Sequence, residues 1–115
     1  MPPPDEYAVL CDEIRTLLDP QVEAHEQSLA RLEDTLTEGY ARALALEAEQ
    51  LRLERRIGEL GAEVRHGEER VGDEISSLAA GLAQASGRLA GLRALLDALR
   101  RRADAVRTRQ IASFG

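Results

Sequence analysis

Counting in sevens from Val22, the chain places Leu29, Leu36, Ala43, Gln50, Ile57, Val64, Val71, Leu78, Ala85, Leu92, Leu99 and Val106, and only Gln50 is polar. Leu32, Leu46, Leu53 and Leu60 each stand three residues after a member of that series. From Val71 onward Ile75, Leu82, Leu89, Leu96 and Ala103 each stand four after. A seven-residue apolar repeat of this kind keeps one seam of an α-helix turned toward a partner helix, turn after turn. An all-α coiled-coil fold follows. Ordinary helices run near a dozen residues, so a periodic stretch of this length belongs to a coiled coil or a bundle.

The seam is interrupted once. Arg65 to Glu74 contains Gly67 and Gly72, with Val71 as its one large apolar residue, and the apolar spacing changes there. One reading is a stutter inside an unbroken helix. The other is a reversal, with Gly67 as the left-handed residue that closes the first arm. Three features favour the reversal. The arms, residues 20–66 and 70–112, come out nearly equal. Gly58, Gly61, Gly67 and Gly72 crowd one short stretch, and each costs a helix interior up to ~1 kcal/mol relative to Ala. Charge also divides along the chain: through residue 87 there are 8 Arg against 19 acids, and residues 88–115 hold 7 Arg against 2. A hairpin sets Arg100, Arg101 and Arg102 level with Glu33, Asp34 and Glu38, and Arg107 and Arg109 near Glu23 and Glu26. Each exposed pair is weak, but a parallel in-register dimer would oppose the arginines to their own copies.

Before the long arms, residues 1–4 read as an extended, proline-rich leader. Residues 5–18 read as a short amphipathic helix, with Asp5 and Glu6 at the end where the helix dipole favours negative charge. Asp19-Pro20 then ends one helix and starts another, with Asp19 as cap and Pro20 as first helical residue.

Composition excludes several function classes. The chain has one Phe, two Tyr and no Trp, so a conventional aromatic core is out of reach. All of its cationic charge is Arg, which with abundant Ala, Leu and Gly points to a GC-rich, bacterial source. A net charge of −6 disfavours nucleic acid and anionic membranes as partners. A single cysteine forbids an internal disulfide framework and suits a reducing, cytoplasmic setting. The opening Met-Pro-Pro-Pro-Asp-Glu lacks the layout of a signal peptide, and no apolar run is long enough to span a bilayer.

Residues with chemical potential are few. Glu63 and His66 share the i, i+3 spacing of a di-iron bundle ligand pair, but such sites need two pairs and two further Glu. A solvated pair is the better reading, and no metal or cofactor is expected. His25 follows Val22 at seam spacing and reads as a core-edge residue. Cys11 has no basic neighbour in sequence to activate it and reads as a small buried side chain. No nucleophile pattern or phosphate-cradling loop is present, so no catalytic residue is assigned. The arginines from Arg88 to Arg109 lack interleaved aromatics for base stacking, and the acids of the first long arm are their nearer partners.

Two surfaces remain. The tip, Gly67, Glu68, Glu69, Gly72, Asp73 and Glu74, is acidic. In outline this resembles the acidic-tipped coiled coils that enter the secondary channel of bacterial RNA polymerase and help hold its Mg²⁺. That resemblance implies a regulator of a larger enzyme, although the docking domain such factors usually carry is not visible in the sequence. In size the chain is also similar to small secreted helical hairpins of the WXG type, but its turn has no Trp. The second surface is apolar: Leu44 and Leu51 lie off the main seam, Gly87 and Gly91 sit in a run of small residues, and Leu10, Ile14 and Leu17 form the face of the short helix. These residues are expected to meet a partner. The sequence therefore predicts a long antiparallel coiled-coil hairpin with a short extra N-terminal helix, assembling into a four-helix or larger bundle, most simply a homodimer. The work expected of it is structural: an adaptor that binds itself and another protein.

Overall fold

The computed structural model describes residues 5–22, 27–64 and 69–114. They form three helices: α1 (Glu6–Leu17), α2 (Leu29–Val64) and α3 (Glu69–Phe114). Among the described residues there is no strand. α2 and α3 pack against each other as a hairpin. Glu33 pairs with Arg107, Gln50 with Ser86 and Arg56 with Glu74, an order that makes the two helices antiparallel. Residues 65–68, and with them Gly67 and Glu68 of the expected tip, lie outside the described residues, as do the side chains of Val64 and Glu69.

α1 begins where its local chemistry directs. Asp5 is in extended geometry, and its side chain accepts a hydrogen bond from the Tyr7 amide at 3.1 Å, satisfying one of the orphan donors of a first turn. The expected start of the next helix at Pro20 is not found. The Asp19 carboxylate accepts from the Gln21 amide at 2.9 Å, and the Asp19 carbonyl accepts from the Val22 amide at 3.1 Å. Asp19 thereby closes a local turn, the competing use of a short polar side chain. The capping role falls to Ser28, whose hydroxyl accepts from the Arg31 amide and whose carbonyl accepts from Leu32. Val22 thus precedes the helix, and His25 lies outside the described residues.

The chain divides into two compact units. The first comprises Met1–Arg42 and Gly91–Gly115, and holds α1, the first part of α2 and the last part of α3. α1 runs antiparallel to α2, because Glu6 pairs with Arg42 and Glu13 with Arg31. Leu10, Cys11 and Ile14 of α1 are buried with Leu32 and Leu36 of α2 and Leu92, Leu96, Leu99, Ala103 and Val106 of α3. This corrects one expectation. The face of Leu10 and Ile14, with half-buried Leu17, is covered by its own chain. A third helix encloses the two-helix seam here, and that burial needs no second molecule. Two glycines permit the close fit. A Cβ at Gly39 would overlap Leu96 Cδ2, and one at Gly91 would stand 3.2 Å from the Tyr7 hydroxyl.

The second unit, Ala43–Ala90, has two helices. Ala43, Leu46, Leu60, Val71, Ala85 and Leu89 are buried there. Leu53, Ile57, Ile75, Leu78 and Leu82 remain half-buried, because two helices alone cannot enclose both flanks of a seam. Gln50, the polar member of the repeat, donates to the Ser86 hydroxyl at 2.8 Å.

Candidate interaction surface

In the two-helix unit, α2 carries Leu44 and Leu51 two turns apart on one flank, and they are 66% and 60% exposed. Ala48, also exposed, lies between them. The neighbouring stretch of α3, Ile75 to Gly87, contains no charged residue. Ala79, Ala80, Ala83 and Gly87 are exposed along it, and a Cβ added at Gly87 would meet nothing within 4 Å. The exposed leucines of α2 and the uncharged, small-residue stretch of α3 give this unit its apolar surface. Of the small residues expected to face a partner, Gly87 is open, whereas Gly91 receives Tyr7 of the same chain.

The acidic end is partly described. Gly72, Asp73 and Glu74 are exposed, and Glu74 accepts from Arg56 at 3.4 Å. Arg56 also donates to Glu59, and that bond foremost, with Glu74 adding to it, holds its proton above the ordinary arginine range. Both partners are well exposed, so the bridge is screened and weak. Glu63 is exposed, and its would-be companion His66 lies outside the described residues.

The arginine-rich end of α3 is engaged with its own unit, but at different acids from those expected. Arg107 donates to Glu33 at 2.7 Å and to Asp104 at 3.0 Å. Its hydrogen bond to Glu33 raises the guanidinium above its usual range. Arg102 instead donates to the Gln27 side chain and to the Val22 carbonyl. Backbone level alone does not choose the partner. Arg and Glu side chains reach about one helical turn along the axis, so the flank on which each lies decides. Leu36, Tyr40, Arg100, Ala103, Asp104 and Arg107 line an open groove of about 300 Å³.

Cys11 is a free, buried thiol. Among the described residues no group of three or more His, Cys, Asp or Glu is placed to hold a metal ion. No described helix is long and apolar enough to cross a membrane. Every buried side-chain polar atom described has a hydrogen-bond partner. Sequence reasoning missed Gly39 and Gln27. Gly39 had a signal, since it stands three residues after Leu36 in the phase of the seam. Gln27 had none. No protein-family model, curated protein or solved structure matches the chain.

Proposed function

We propose that this protein is a non-enzymatic coiled-coil adaptor that pairs with a second copy of itself and offers helical surface to another protein, in a reducing cytoplasmic setting. One contrast supports the reading. The three-helix unit covers its seam with α1, while the two-helix unit leaves Leu44 and Leu51 exposed and five seam residues half-buried. Apolar surface grouped this way marks an association site more often than an idle one. Two such helix pairs, brought face to face, make a four-helix bundle, and a two-fold arrangement lets each copy give and receive the same contacts. Removal of the leucines from water supplies about 25 cal/mol per Å² of apolar area.

Light scattering over a range of concentrations tests the self-association. The expected mass is about twice 12.6 kDa. A Leu44→Glu, Leu51→Glu double variant is expected to fall to the single-chain mass while its far-ultraviolet circular dichroism stays helical. A single-chain mass for the unaltered protein at every concentration removes this reading.

A further inference from the structure

We infer that α1 is a strap closed over the α2–α3 seam of the three-helix unit, and that Arg102 is the positioning residue that latches it. The latch starts at the C-terminal end of α1. Leu17 carries one of the carbonyls that a helix leaves without an internal partner. The Gln27 side-chain amide donates to it at 2.6 Å. The oxygen of the same amide accepts from Arg102 Nε, and Arg102 Nη2 donates to the Val22 carbonyl. Gln27 is only 9% exposed and Arg102 is half-buried, so water competes poorly for these groups. One guanidinium of α3 thus holds two points of the chain that leaves α1, and through Gln27 it holds the end of α1 itself.

The other polar fastenings of α1 are lighter. Its two ion pairs to α2, Glu6–Arg42 and Glu13–Arg31, each have one largely exposed and one half-buried side chain, and such pairs are partly screened by salt. A helix of 12 residues is marginal without tertiary support. Its inward face rests on Leu10, Cys11 and Ile14. α1 is therefore the element that opens at least cost, ahead of the α2–α3 hairpin. Opening it would turn a three-helix unit into a two-helix one and bare the seam that it covers. Arg102 sets how often that happens.

Cys11 reports the opening directly, because it is 2% exposed in the closed state and is the only thiol in the chain. The experiment follows Cys11 modification by a soluble disulfide reagent in the full chain, alongside amide hydrogen exchange in residues 92–106 of α3. In Arg102→Met, labelling is expected to quicken about tenfold or more, the effect of losing buried hydrogen bonds to a charged group, while exchange in α3 is unchanged. Arg102→Lys is expected to behave like Arg102→Met, because an ammonium does not reproduce the two-donor fork. Adding Gln27→Leu to Arg102→Met is expected to give no further increase, as both belong to one latch. Labelling at the unaltered rate in both Arg102 variants would overturn the inference. So would labelling and α3 exchange rising together, which would make Arg102 a support of the whole unit. A lysine variant that labels at the original rate would overturn the fork.

Discussion

Gly39, Gly58 and Gly72 occupy the same kind of helical backbone, yet only the first has a neighbour where its side chain would be. A Cβ at Gly39 runs into Leu96, which is 1% exposed and has little room to yield, while Gly58 and Gly72 face open space. Gly39→Ala is therefore expected to destabilise by about 1–3 kcal/mol through overpacking. Gly58→Ala and Gly72→Ala should each stabilise by up to ~1 kcal/mol through helix propensity. Urea denaturation of the three variants checks both signs at once. If all three move the midpoint upward, Leu96 has space that the geometry denies it. Gln50 offers a second test at this scale. Its bond to Ser86 lies in a half-buried stretch, so water replaces it at small cost. Leucine at the same seam position adds apolar burial, and Gln50→Leu is expected to raise the denaturation midpoint. A fall would mean that the polar pair sets the register of the seam, as single polar residues do in other coiled coils.

α1 and α2 each begin where a short polar side chain supplies an acceptor, and the chain offers more such side chains than it uses for that purpose. Asp5 and Ser28 serve α1 and α2, whereas Asp19 is taken by a local turn. The long elements also differ along their own length. In α3, Leu92, Leu96, Leu99, Ala103 and Val106 are almost wholly buried, while Ile75, Leu78 and Leu82 are half-buried. Local opening follows apolar contact more than helical propensity. In the single-chain Leu44→Glu, Leu51→Glu variant, amide exchange in residues 92–106 should accordingly be slower than in residues 75–82, although both belong to one helix. In the unaltered protein the proposed dimer covers the two-helix unit and is expected to narrow that difference. Equal protection in the variant would mean that half-burial of the seam does not set local opening.

Across the whole chain, charge and apolar pattern act on different choices. The heptads require that helices meet along a seam. The division of charge, with 7 Arg against 2 acids in residues 88–115, favours the chain meeting itself in antiparallel sense. Arg107 with Glu33 realises that preference at an exposed ion pair, while Arg102 bonds the neutral Gln27 amide and Val22 carbonyl at a half-buried place. The exposed pairs steer orientation more than they stabilise. Burial of the seam carries the energy, and its completeness differs between the two units, which is why the proposed self-association is placed on the two-helix one.

The helical class, the seam and the reversal between two long arms were legible in the sequence, because each depends on the spacing of residues along one chain. The heptad survives any tertiary context, and a cluster of glycines weakens a helix wherever it stands. What covers an apolar face is a different kind of question. Leu10, Ile14 and Leu17 announced that they would be buried, but the same stripe suits the chain's own seam and a partner's equally well. Which of Asp19 and Ser28 would cap a helix was likewise undecided by their chemistry, since both side chains can accept from a backbone amide. The latch of Arg102, Gln27, Leu17 and Val22 includes a direct bond between residues 80 apart, and no local pattern marks it. Those matters were settled only when the third helix found its place, because burial, unlike periodicity, belongs to pairs of surfaces.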